Sequence, residues 1–352
     1  MNGETRAAIK RLLGRVGFEH GRWTGSHASD QTVVARKFDP VNLVIFSSRE
    51  DVSTIAGTIS SAVQSIPNGS IVDVLVNGNK QLAQQIDTWA LQNIKSVDQL
   101  NIFYIPLPDK GNAWNQHIHT IWRESMNMNS IYIDGYVRVS RAAISALAST
   151  LECNVNALGT SGVPTVGASA KLLSRRMQRE GGFHGNLCAI RTEALRQMRN
   201  RGVRIPLGMY RVDSLVGAFL SFNLDNINHA WDPHKCVPLT VAASWECEEK
   251  KWYRWKDVAA WMKRRNRQAQ GDFENSAVKY HLTRLKCSFE ELPSDVRSLV
   301  DAWMNACPED VSRLRHSSVR HKKAMENIVD YVSPDSNACG AVLINSLTRP
   351  LA

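Results

Sequence analysis

An α/β fold with a mainly parallel sheet is predicted by two features of the N-terminal half. Short apolar runs alternate with amphipathic stretches of helix length, and polar residues follow each run. The composition agrees: of 352 residues, 43% are hydrophobic and 22% charged, the usage of an ordinary soluble globular chain. A chain of this length buries about three quarters of the surface it exposes when unfolded, enough for a large core.

Val41-Asn-Leu-Val-Ile-Phe46 reads as a buried strand, and Asp51–Val63 as a helix with Val52, Ile55, Ile59 and Val63 along one face. Pro67-Asn-Gly69 is a turn, Ile71–Val76 a second strand and Leu82–Leu91 a second helix. Asn101–Ile105, Ala113–Met126 and Ser130–Ile133 continue the pattern as strand, helix and strand. Beyond residue 150 the alternation loosens. Pro164–Ala168, Leu187–Ile190 and Cys236–Ala243 read as strands, Asp213–Leu220 as a helix, and the chain from Trp252 to about Tyr331 as helical. Three regions follow: an arm over 1–38, with a short basic amphipathic helix at Ala7–Val16, an α/β domain over 39–248, and a basic, mainly helical region over 249–352. The arm helix suits either its own domain or an anionic membrane surface.

Net charge is +10, which favours anionic partners: nucleotides, phospholipid headgroups or nucleic acid. No apolar run approaches the ~20 residues that span a bilayer, and the N-terminus has no apolar signal core, so a cytoplasmic location is expected, with peripheral membrane contact left open. The seven cysteines include no CxxC pair, which favours free thiols over structural zinc. GxxxxGK[ST], GxGxxG after the first strand and GxSxG are all absent, which disfavours P-loop, dinucleotide-binding and α/β-hydrolase chemistry.

Parallel sheets bind ligands at the carboxyl ends of their strands. The residues there are Ser47-Ser-Arg-Glu50, Asn77-Gly-Asn79, Asp109-Lys-Gly-Asn112 and Asp134-Gly-Tyr136. Their order resembles a GT-A-fold glycosyltransferase of the family 2 type. Phe46-Ser-Ser-Arg-Glu50 matches a P-x-Y-N-E-like segment, and Asp109-Lys-Gly-Asn-Ala-Trp-Asn115 a Gly-Lys-Gly-x-Ala-x-Asn-like one. Ile133-Asp-Gly-Tyr-Val137 matches the D-x-D region, Gly185-Asn-Leu-Cys-Ala-Ile-Arg191 a G-x-x-x-A-x-R segment, and Val212-Asp213 the E-D pair. The likeness covers residues 41 to about 225.

It implies a GT-A-like (Rossmann-like) mixed sheet, mainly parallel and flanked by helices, with a helical C-terminal extension. It also implies a hexosyltransferase-type enzyme that takes a nucleotide-diphosphate sugar and builds polysaccharide or glycolipid on a saccharide or lipid-linked acceptor. In that reading Ser47, Glu50, Asn77, Lys110, Asp134 and Gly135 contact the donor, and Asp134 holds a divalent metal, Mn or Mg. Asp213 is the general base of an inverting displacement. His184, Gly185, Arg191, Arg264 and Arg267 serve the acceptor or the diphosphate, because guanidinium binds phosphate bidentately.

Each role has a plainer counterpart. Ser47 or Ser48 suits a helix cap, Asn77-Gly78 a turn, Lys110 a solvated loop, and Asp213 an N-cap. Tyr136 stands where the second aspartate of D-x-D belongs. Either Asp134 holds the ion with water and phosphate, or Arg138 and other basic groups neutralise the leaving group, or catalysis is lost. The alternatives in other classes are therefore an inactive nucleotide-sugar-binding protein and a nucleic-acid-binding module on Trp252–Lys286. The second is disfavoured, since no recognised nucleic-acid motif is present.

Overall fold

The computed structural model describes residues 38–94, 97–166, 170–248, 254–335 and 339–348. The arm helix expected at Ala7–Val16 lies outside them. One sheet holds β1 (Asn42–Ser47), β2 (Ile71–Asn77), β3 (Gln99–Ile105), β4 (Ser130–Asp134), β5 (Val137–Val139), β6 (Gly159–Pro164), β7 (Leu187–Ile190), β8 (Leu239–Cys247) and β9 (Val342–Thr348). Their order is β5-β8-β6-β7-β4-β1-β2-β3-β9. The contiguous block β3-β2-β1-β4 is parallel, whereas β7 runs antiparallel to β4 and β9 antiparallel to β3. The result is the mixed α/β sheet flanked by helices that the sequence predicts.

Helices α1 (Val52–Val63), α2 (Lys80–Asn93) and α3 (Lys110–Gln116) follow the first three strands. Each starts on a carboxylate or amide: Asp51 accepts from the Thr54 N–H, Asn79 from Leu82 and Asp109 from Asn112. These caps fix the positive ends of three helix dipoles beside the carboxyl ends of the strands.

The central strands are buried on both faces and sort by period two. Leu43, Ile45, Val72 and Val74 pack with Ile55, Ile59 and Ile86, and with Ile144 and Leu147 of α4 (Ala143–Cys153). On the opposite face Val44, Phe46, Leu75 and Tyr132 meet Trp114, and beyond it α5 (Ala170–Glu180) is followed by α6 (Thr192–Arg201) and α7 (Val212–Ser221), whose Leu195 and Phe219 join the same cluster. After the single turn α8 (Pro233–Cys236), the C-terminal helices are α9 (Trp255–Tyr280), α10 (Val296–Ala306), α11 (Pro308–His316) and α12 (Val319–Val329). Phe273, Leu299, Trp303, Val311 and Ile328 place all four in that second cluster. The region expected to be mainly helical also supplies β9, which lies along β3.

The helix expected over Ala113–Met126 is broken. α3 ends at Gln116, a π turn spans His117–Ile121, and the Trp122 N–H reaches back to the His117 carbonyl at 2.8 Å. The physical reason is the buried His117 ring, held between the Asn42 side-chain oxygen at 3.0 Å and the Tyr132 hydroxyl at 3.1 Å. Nε2–H donates to Asn42 and Nδ1 accepts from Tyr132, an arrangement only neutral imidazole permits.

Burial, reinforced by the charge of Arg199, pushes the His117 pKa down from 6.5 to about 3. The unfolded chain takes up this proton below its ordinary pKa while the folded chain refuses it. The contribution to stability is therefore complete above pH 6.5 and is lost as pH falls towards 3. Burial raises the Asp73 carboxyl nearby and works in the opposite sense, so a variant comparison isolates the imidazole. Between pH 7.5 and pH 5, wild type should lose about 2 kcal/mol more than His117→Gln in denaturant unfolding. Parallel pH profiles for the two proteins would show that this ring does not titrate as described.

Candidate active site

The strand register decides which residues can meet. Phe46 of β1 pairs with Asp134 of β4, so Gly135 leaves β4 beside Ser47, the last residue of β1. Because β7 is antiparallel, Leu187 pairs with Ile133, which brings the preceding residues His184, Gly185 and Asn186 to the same edge. Ile190 pairs with Ser130 at the other edge.

Three charged groups converge there. Lys110 Nζ lies 2.8 Å from Asp134 Oδ1, 3.0 Å from Asp213 Oδ1 and 3.3 Å from Asp213 Oδ2. The Tyr136 hydroxyl lies 3.1 Å from Asp134 Oδ2 and 3.0 Å from the Asn186 side-chain oxygen. A phenol has one proton: when Asp134 accepts it, the Asn186 amide turns its NH2 towards the phenol oxygen. Burial, the largest cause, pushes the Asp134 carboxyl up to about 6, opposed by Lys110 and assisted by the negative charge of Asp213. Burial alone would lower the Lys110 pKa, but the two carboxylates outweigh it and the ammonium is held charged.

The segment Asp109–Asn115 explains why Lys110 and Asp213 meet. Asp109 caps α3 with Oδ1 and accepts the Gly208 N–H with Oδ2 at 2.6 Å. Asn115 donates to the Ile205 carbonyl at 2.8 Å and accepts the Ile205 N–H at 2.9 Å. A Cβ on Gly111 would lie 3.1 Å from Ile205 and 3.3 Å from the Pro206 carbonyl, so a side chain there would crowd this contact. Residues 205–208 lead into α7, so α3 and the start of α7 are tied together on either side of the ion pair.

Asp213 is not an N-cap: α7 begins at Val212, after Arg211. The N–H groups of Tyr210 and Arg211 are instead accepted at 2.8 Å each by the two carboxylate oxygens of Glu274, a buried residue of α9. The sequence reading missed Glu274. Its only local signal is an acid amid an apolar helix face, and nothing in the sequence places that face against residue 210.

The remaining expected residues divide. Glu50 Oε2 accepts from Ser47 Oγ, the Ser48 N–H and the Arg49 N–H, closing the turn after β1. Asn77 is buried at the end of β2, and its carbonyl accepts from Ser48 Oγ at 2.8 Å. Gly135 donates to the Phe46 carbonyl at 2.7 Å, and a Cβ there would lie 2.9 Å from that oxygen. Gly185 faces Asp213 so closely that a Cβ would sit 2.2 Å from its carboxylate. The His184 ring centre lies 5.1 Å from that of Trp245, and burial lowers its pKa to about 4, against the pull of Asp213. It is neutral, and Nδ1 accepts the Asn186 N–H.

Two expectations are corrected. Arg191 lies at the far edge of the sheet, where its guanidinium donates to the carbonyls of Leu151, Ala157 and Asn154; it closes the end of α4 and does not reach a diphosphate at Asp134. Arg138 donates to Thr58 Oγ1 at 2.9 Å and fills the space that a side chain on Gly57 would need, so it is committed to α1. Arg264 and Arg267 are exposed on α9. Arg264 is near enough to His184 to oppose its protonation, and the Arg267 guanidinium lies 5.3 Å from the centre of the Tyr210 ring.

The divalent ion implied through Asp134 does not fit this arrangement. The ammonium of Lys110 stands where a cation between Asp134 and Asp213 would stand, and the second oxygen of Asp134 faces a neutral phenol. Among the described residues, no three His, Cys, Asp or Glu side chains form a cluster suited to a metal.

Gly185→Ala should displace the Asp213 carboxylate without straining the backbone. At least a tenfold loss of any turnover is expected, together with a lowered melting temperature as the Lys110–Asp213 ion pair is broken. Full activity in the alanine variant would mean that the Asp213 position is not critical.

No family model and no curated protein matches the chain. Among solved structures it is similar to the mannosyltransferase PcManGT from Pyrobaculum calidifontis, a complex with GDP-Man and Mn2+. Identity there is 14%, over 95% of this chain and 86% of that one, with a TM-score of 0.49. It is also similar to S. aureus TarS 1-349, at 13% identity over 82% of this chain and 88% of that one, with a TM-score of 0.43. With neither score reaching 0.5, the functional reading rests on the geometry of the site itself.

Proposed function

We propose that the chain is a glycosyltransferase that binds a nucleoside-diphosphate sugar at the carboxyl ends of β1, β2 and β4 and passes the sugar to an acceptor hydroxyl with inversion. The observation that supports this most is Asp213. It is a carboxylate excused from helix capping, set at the mouth of a parallel sheet and joined to Asp134 through one lysine. In the proposed step an acceptor oxygen forms a bond to the anomeric carbon and gives its proton to Asp213. The bond from that carbon to the diphosphate breaks, and its electron pair leaves on the diphosphate oxygen. Of about four lone-pair directions on the carboxylate, Lys110 takes at most two; Oδ1 is buried, so the acceptor proton is assigned to Oδ2.

The donor nucleoside is assigned to Ser47, Glu50, Asn77 and Gly135, beside the capped starts of α1 and α2. The unit over 39–248 holds these groups, and 249–352 supports them through Glu274. Exposed Lys263, Arg264, Arg265 and Arg267 on α9 suit a phosphate-bearing, lipid-linked acceptor or a charged saccharide. No described helix is long and apolar enough to cross a membrane. A nucleotide-sugar-binding protein without turnover is the second reading, favoured by the engagement of both Asp213 oxygens with Lys110.

Incubation with UDP-, GDP-, CDP- and dTDP-sugars, following release of the nucleoside diphosphate, separates the two. One donor should be turned over, and Asp213→Asn should slow it by about 10²–10⁴-fold with nucleotide binding retained. Binding without release supports the second reading. Neither binding nor release contradicts both.

A further inference from the structure

The aspartate pair at the sheet edge already has its counter-ion. We propose that the Lys110 ammonium is the fixed cation of this site, and that it donates its remaining N–H directly to the departing diphosphate, with no divalent ion held by Asp134 and Asp213. This rests on the glycosyl-transfer reading and adds to it how the leaving-group charge is met.

Four observations carry the inference. The Nζ atom bridges both carboxylates, at 2.8 Å and 3.0 Å, so a metal on the same oxygens would have to expel it. The backbone of Lys110 is also built in place: Asp109 and Asn115 fasten α3 to residues 205–208, and Gly111 leaves room for that contact. Third, Tyr136 turns the remaining oxygen of Asp134 towards a hydrogen-bond donor, and a phenol is a poor ligand for a hard cation. Fourth, an ammonium has three N–H donors, of which the carboxylates take two. The side chain of Lys110 is 30% exposed, which leaves the third free for a phosphate oxygen arriving from solvent.

In the transfer step, the electron pair released from the anomeric carbon settles on a diphosphate oxygen hydrogen-bonded to Lys110. The proton from the acceptor goes to Asp213, so lysine stays protonated throughout. Asp134 and Asp213 fix the ammonium in place before the donor arrives, which removes the need to organise it during the reaction.

The test is calorimetric titration of the full chain with UDP, GDP, CDP and dTDP, in EDTA and in excess Mn²⁺. One nucleotide should bind with affinities that agree within threefold in the two conditions. Lys110→Met should weaken that binding at least tenfold in EDTA. In this variant the vacated carboxylate pair should take Mn²⁺, visible by electron paramagnetic resonance, and recover nucleotide affinity with it. A rise of tenfold or more when Mn²⁺ is added to the unaltered chain would overturn the proposal, and so would unchanged binding by Lys110→Met in EDTA. If the variant does not fold, the comparison on the unaltered chain decides alone. If no nucleotide binds in either condition, the glycosyl-transfer reading fails and takes this proposal with it.

Discussion

Two carboxylates brought to one edge of a sheet, largely out of water, repel each other unless a cation stands between them. At this edge the cation is a side chain, and much of the surrounding structure exists to put it there. Lys110 opens a helix whose start is capped by Asp109, and the same aspartate holds the loop that delivers Asp213. The ion pair therefore couples three elements that are distant in the chain: the end of β4, the first turn of α3 and the first turn of α7. Its energy is a local electrostatic matter, yet its geometry is set by hydrogen bonds several residues away.

The parallel half of the sheet was legible because Val41–Phe46, Ile71–Val76 and Ser130–Ile133 are each predominantly apolar on both faces, broken only by Asn42, Asp73 and Ser130, as strands covered by helices tend to be. The strand-end residues could be placed for the same reason, since a strand that ends in a polar residue announces the edge. Other features were hidden by tertiary effects. β9 is half exposed and reads as an unremarkable segment until β3 offers it a partner. The break after Gln116 depends on a buried ring finding Asn42, seventy-five residues earlier. Arg191 sits in a motif-like segment, but the antiparallel direction of β7, which no local pattern encodes, sends it to the wrong edge of the sheet. Tyr136 was visible as a departure from a pattern; that its hydroxyl would be spent on Asp134 was not.

The helices after residue 254 belong to the same apolar cluster as Phe46 and Trp114, so they are part of the wall on which α7 rests. Glu274 makes that connection specific. Two backbone N–H groups at the entrance to α7 would be unpaired in a buried setting without an acceptor, and a carboxylate from α9 supplies both bonds.

That pairing spans a sequence separation of 63 and 64 residues, and it bears on the order in which the molecule takes shape during synthesis. As the chain leaves the ribosome, β1 to β4 and their capped helices can settle before α9 emerges, since the residues they pair among themselves all precede it. The start of α7 is made before its anchor exists. Until α9 has emerged and docked, the entrance to α7, just ahead of Asp213, lacks the acceptor for its two N–H groups. A nascent chain halted between these two points would display a formed sheet edge with Asp213 not yet set against it. The site is thus completed from the far end of the chain, one step after the scaffold that carries it.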